Sequence, residues 1–243
     1  MKIRFRIDMK YDLDMVVYML RGKDWEYRAE RMGLPTALVK NIHDSSDDKL
    51  RLHKNELEDI VYNVYKNCEQ YMVSSMENYQ KSWDMIIQEF SDYIAEKSIP
   101  WFYEEYICNI THYNRGLSNW NGNVVGRWWK ENMFTQRRIT AHEILLAHYF
   151  SIHRNNYKNS GLSDDQIWAL AEIFALSMTG LDKKVMKFWP WDESGYYKNH
   201  NYPHIVELQS ALEEQFIKRE SFTDYVDIGI EQAKKLYKDL KGN

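Results

Sequence analysis

Thr140-Ala141-His142-Glu143-Ile144-Leu145-Leu146-Ala147-His148 is the one stretch of this chain where a histidine and a carboxylate sit side by side in a strongly apolar run of helical period. At about 100° per residue, His142 and Leu146 share one face of the predicted helix, and His148 lies about 120° away. A helix this apolar belongs inside a fold, where its few polar groups need partners. The pattern predicts a helix from about 138 to 154.

Further helices are expected after it, at 163 to 180, 203 to 219 and 222 to 240. Ser163 with Gln166 forms a capping box, Gly180 suits a C-cap, and Pro203 fits a first helical turn. Before it, Tyr103 to Tyr113 alternates as a strand buried on both faces does, with Tyr106, Cys108 and Ile110 against Ile107, Asn109 and Thr111. Asn119-Trp120-Asn121-Gly122-Asn123 is a turn signal, and Val124 to Trp129 reads as a returning strand.

Ile3, Phe5 and Ile7 alternate with Lys2, Arg4 and Arg6, the period of a half-buried strand. A short helix over Asp12 to Arg21 follows, closed by Gly22, and Gly33-Leu34-Pro35 marks a turn in the mixed stretch after it. Ser46 stands where it caps a helix running through Leu57, Val61 and Tyr65, and helical spacing continues from Glu69 to Lys97 until Ile99-Pro100 ends it. The expected fold is therefore α+β and mostly helical: a small sheet covered by helices, with a helical C-terminal half. It is read as one domain over 1–243, with a subdivision conceivable between 1–100 and 101–243.

Composition fits a globular chain of 243 residues, 44% hydrophobic and 28% charged, with only 10 Gly and 4 Pro to interrupt long helices. Nine Trp, 18 Tyr and 9 Phe are too many rings to solvate, so most are expected in the core. A net charge of -4 gives no general attraction to nucleic acid or membranes. Cys68 and Cys108 lack a C-x-x-C partner and are expected reduced and buried. The first residues show no signal-peptide core, and no run approaches the roughly 20 apolar residues of a membrane span, so a cytoplasmic location is expected.

The opening stretch nearly spells H-E-x-x-H, the helix in which two histidines one turn apart bind zinc and the glutamate deprotonates the metal-bound water. Leu146 stands where the second histidine belongs, and His148 arrives two residues late. Thirty residues after His142, Trp168-Ala169-Leu170-Ala171-Glu172-Ile173-Phe174-Ala175 carries one carboxylate in an apolar helix, with alanines that permit close helix approach. In this order of strand, turn, histidine-glutamate helix and second glutamate helix, residues 103 to 180 resemble the zincin metallopeptidases with a glutamate ligand, the gluzincins. The resemblance implies zinc held by His142 and Glu172, with Glu143 as general base. His148 is the further candidate ligand: a regular helix keeps it off the His142 face, and a π-bulge would turn it toward that face but leave it off-axis. It implies peptide or protein as substrate, with Tyr196, Tyr197, His200 or His204 helping at the transition state.

Plainer readings compete with each of these. Thr140-x-x-Glu143 is itself a capping box, which makes Glu143 a helix-start residue. His142 is equally a core histidine, and Glu172 equally the partner of a buried cation. Trp120, Asn121 and Trp128 outline an aromatic groove for a peptide, sugar or nucleic acid, and Arg127-Trp128-Trp129-Lys130 with Arg137-Arg138 is the basic part of it. Two functions follow: a metallopeptidase-related protein whose metal site is altered or lost, or a non-enzymatic interaction protein using that groove.

Overall fold

The alternation at the N-terminus becomes strand β1 (Lys2–Ile7), with Ile3 and Phe5 buried and Lys2, Arg4 and Arg6 exposed. The computed structural model describes residues 1–22, 24–113, 119–190, 202 and 204–241. After β1 come α1 (Met9–Leu20), α2 (Trp25–Met32), α3 (Thr36–Asp44), α4 (Asp47–Asp84) and α5 (Ile87–Lys97). Strands β2 (Glu105–Thr111), β3 (Asn119–Asn121) and β4 (Val124–Trp128) follow, then α6 (Met133–Asn159), α7 (Asp164–Leu176), α8 (Ile205–Lys218) and α9 (Phe222–Lys241). The fold is α+β and mostly helical.

The four strands form one sheet in the order β1-β2-β4-β3. β1, β2 and β4 are parallel, and β3 runs antiparallel to β4 as the outer strand. Val124 therefore does not return along the strand of residues 105–111, as the turn signal suggested; the hairpin is β3–β4, with Gly122 at φ 58° in its turn. Such a left-handed position favours glycine. The opposite edge, β1, is guarded by one side chain of α4. Gln80 accepts from the Phe5 N–H (2.9 Å) and donates to the Ile3 carbonyl (3.0 Å), so the edge has no free ladder at those groups.

At the carboxyl ends of the parallel strands, buried Asp12 ties three elements together. Its Oδ2 accepts from the Tyr65 hydroxyl of α4 (2.8 Å) and from the His112 N–H just past β2 (2.8 Å). Burial raises this carboxyl to about 6, against the lowering effect of those hydrogen bonds.

Helical spacing predicted continuity through Lys97, but α4 stops at Asp84 and α5 starts at Ile87. Neither Gly nor Pro marks the break. Arg137 of α6 sits against it: its Nη2 donates to the Ser82 carbonyl (2.7 Å), its Nε to the Ser82 hydroxyl (2.6 Å) and its Nη1 to the Phe188 carbonyl (3.2 Å). A cation suits a helix C-terminus, where carbonyls lack intrahelical donors.

α6 is the axis of the molecule. Every residue from Thr140 to Tyr149 is buried, so its middle is enclosed on all sides. It begins well before the expected residue 138, because Asn132 caps it by accepting from the Phe134 and Thr135 N–H groups. Thr140 and Glu143 thus lie in the third turn, and the capping-box explanation of Glu143 falls. The Ser163–Gln166 capping box of α7 is present, whereas Gly180 lies inside a π turn over Ser177–Leu181 and is not a C-cap. Pro203 lies outside the described residues. Cys108 is buried and Cys68 only half-buried; both are free thiols. No helix among the described residues is long and apolar enough to cross a membrane.

Candidate functional site

α6 and α7 are joined by a short loop and pack side by side, which brings the two acid-bearing helices together. Where they face each other, His142 Nε2 lies 2.8 Å from Glu172 Oε2, a hydrogen bond between two buried side chains (3% and 8% exposed). Glu143, one residue along α6, is 6% exposed. Carboxylates this buried require hydrogen-bonding or charged surroundings, which makes the locus a polar island in an apolar interior.

Two tyrosines complete the island, and neither was singled out by sequence. Burial raises the Tyr202 hydroxyl above its ordinary range, and the negative charges of Glu172 and then Glu143 push it further. Tyr202 therefore shares one electrostatic neighbourhood with both carboxylates. The Tyr11 hydroxyl of α1 is raised by burial and by negative charge that includes Asp12 and Glu143, and it has no hydrogen-bond partner among the described residues. A tyrosine kept protonated beside carboxylates can donate to an anion or hold a proton in place. Tyr202 lay hidden among several similar polar residues, and nothing in the local sequence of Tyr11 points toward residue 143.

An aromatic line leads away from the island. Tyr202 stacks on Trp168 of α7 (ring centroids 6.3 Å apart, planes 4° apart), and Trp168 packs on Phe150 of α6 (4.8 Å). Trp168 and Glu172 are one turn apart on α7, as are Glu143 and Ala147 on α6, so line and island share the same helix faces.

The other expected site residues lie elsewhere. α6 runs as a regular helix through His148, without the π-bulge that would have turned this ring toward His142. His148 instead fastens the segment after α5: its Nδ1 accepts from the Phe102 N–H (3.2 Å), and its Nε2 donates to the Ile99 carbonyl (3.2 Å). Both ring nitrogens are used, so His148 has no lone pair left for a metal. His204 is exposed at the start of α8, facing Glu207 and the ring of Tyr237. Tyr196, Tyr197 and His200 lie outside the described residues, as do the side chains of Trp120 and Asn121. Trp128 ends β4, and its carbonyl accepts from the Tyr79 hydroxyl. The basic stretch is not a solvated cationic groove, since Arg127 is buried in an ion pair with Glu131 and Arg137 is buried at the α4–α5 break.

The donors among the described residues do not suit zinc. Among the described residues no three histidine, cysteine, aspartate or glutamate side chains are grouped to hold a metal ion. Leu146, buried at 2% exposure, fills the place one turn from His142 where another donor would stand. Two ligands on a tetrahedral zinc lie about 3.3 Å apart. The 2.8 Å separation of His142 and Glu172 is that of a direct hydrogen bond. Comparison with protein-family models, with curated proteins and with solved structures gives no match to this chain.

The histidines of α6 carry a pH prediction. Burial lowers both His148 and His153 to about 4, from an ordinary 6.5. Between those values the unfolded chain binds more protons than the folded one, so acid destabilises the fold. Asp12, raised from 3.8 to about 6, acts with the opposite sign, because there the folded state binds the extra proton. Denaturation midpoints measured from pH 7 to pH 4 should therefore fall. The fall should be steeper in Asp12→Asn and shallower in His153→Leu. Parallel curves for all three proteins would show these groups not to be the cause.

Proposed function

We propose that this chain is a zincin-like, metallopeptidase-related protein whose metal site has been lost and whose groove beside α6 binds an extended peptide without cutting it. The observation that carries the proposal is the His142–Glu172 hydrogen bond. It joins the histidine of a histidine-glutamate helix to the carboxylate of the next helix, beside Glu143, with an apolar side chain in place of the second histidine. The arrangement of the sheet supports a peptide as ligand. β3 is the outer strand, it packs beside α6, and an added strand can pair with such an edge.

In such a site His142 and Glu172 hold two helices together instead of an ion, and Glu143 remains as a buried acid beside two protonated tyrosines. The alternative, a working peptidase, differs in two measurable ways. Purified protein should carry far less than one zinc per chain, and unstructured peptides incubated with it should be recovered intact. Stoichiometric zinc, with cleavage abolished by Glu143→Ala, would replace the proposal with an active hydrolase.

A further inference from the structure

On α6 the residues at intervals of four, seven and eleven from Glu143 are Ala147, Phe150 and Arg154, each within about 40° of Glu143 around the helix. Arg154 is therefore on the same stripe as Glu143, about 16 Å further along the axis. At that end the stripe opens into a pocket of 360 Å³ lined by Phe102, Tyr103, Gly122, Phe150, Ser151 and Arg154. The volume is that of a small-ligand site. Gly122 belongs to the turn between β3 and β4, so the pocket lies at the end of the outer strand.

The chemistry of the lining is uneven in a way that selects a ligand. Three aromatic rings form the walls, with Phe102 and Tyr103 set edge to face at 4.9 Å. Arg154 is the only charged group among the lining residues, and it has no ion-pair partner among the described residues. Ser151 Oγ is committed to the Ala147 carbonyl (2.7 Å) and lies 3.4 Å from the Tyr103 hydroxyl, which retains a proton to donate. One cation, one hydroxyl and apolar walls fit a carboxylate carried on an apolar side chain. An α-ammonium would meet no acid there, so the zwitterion of a free amino acid is poorly matched.

We propose that this pocket seats the C-terminal residue of a peptide. Arg154 and the Tyr103 hydroxyl hold the free carboxylate, and Phe102 and Phe150 hold an aromatic or large aliphatic side chain. The proposal rests on the peptide-binding function argued above and gives it a direction: the chain enters the groove beside β3 with its carboxyl end at the β3–β4 turn.

The test uses acetyl-Ala-Ala-Ala-Phe as the free acid, the same peptide as its C-terminal amide, and free phenylalanine, each titrated by tryptophan fluorescence. The acid should bind at least about tenfold tighter than the amide, because the amide loses the charge-assisted hydrogen bonds. Free phenylalanine should bind more weakly than the acid peptide. Arg154→Gln, an exposed substitution whose fold is checked by its thermal melt, should bring the acid down to the amide's affinity and leave the amide unchanged. Equal binding of acid and amide, or an unaffected acid in Arg154→Gln, would overturn the carboxylate anchor and leave the peptide groove standing. Phenylalanine binding as tightly as the peptide would overturn it in favour of a free amino-acid site. Failure of both peptides to bind would overturn the anchor and the peptide-binding function together.

Discussion

Leu146→His is expected to give the chain a zinc site. The introduced imidazole would lie one turn from His142 on the same face of α6, while Glu172 already touches His142 from α7. Three protein donors and one water complete a zinc site of the catalytic type. Losing a mere outer partner of a ligand costs up to about 100-fold in metal affinity, so gaining a ligand should raise zinc affinity by more than about 100-fold. Without metal the variant should be less stable than the parent, because it places a polar ring where Leu146 is fully packed. Zinc should then raise its melting temperature in proportion to the logarithm of metal concentration, and leave the parent unmoved. A folded variant that ignores zinc would show that the hydrogen-bonded His142–Glu172 pair does not open to admit an ion even when a third donor is supplied.

The second large effect is expected at Arg137. Its guanidinium satisfies the Ser82 carbonyl at the end of α4 and the Phe188 carbonyl at once, with no carboxylate partner among the described residues. Arg137→Met keeps much of the apolar stem but strands two acceptors and the Ser82 hydroxyl. Hydrogen bonds to charged groups are worth about 1.5 to 3 kcal/mol each, and a buried acceptor left alone costs about 1 to 3 kcal/mol, so a loss of about 3 kcal/mol is expected. Arg137→Lys should recover little of it, since a single ammonium cannot reach both carbonyls as the fork does. Urea unfolding of the three proteins measures this directly. A loss below about 1 kcal/mol in Arg137→Met would mean that water replaces the guanidinium at no cost.

These two sites show where the sequence was legible and where it was not. Local periodicity identified the long helices, the alternating first strand and the Ser163–Gln166 cap, because each depends on neighbours in the chain. The break after Asp84 was invisible, since the group seated on it is Arg137, 55 residues from Ser82. The direction of β4 was misjudged for a related reason. The Asn121-Gly122 turn belongs to a hairpin, but its first arm is the short β3, and β4 lies against β2 in parallel. Thr140 and Glu143 matched a capping box by spacing alone, and the stronger Asn132 cap lies eight residues upstream of Thr140.

The candidate site was legible only as two halves. His142 with Glu143, and Glu172 in its apolar helix, stood out as polar residues in the wrong company. Their meeting depends on how α6 and α7 pack. Tyr11, Tyr202, Trp168 and Arg154 had no such mark. Each is an ordinary residue of its own segment and gains a role only from the elements placed beside it.

The most direct test is the affinity of the wild-type protein for acetyl-Ala-Ala-Ala-Phe, measured once in chelator and once with zinc, with the peptide recovered and weighed at the end. A groove that binds without metal should give the same affinity in both and return the peptide whole. Binding that needs zinc, or a peptide cut only when zinc is present, would contradict the loss of the metal site.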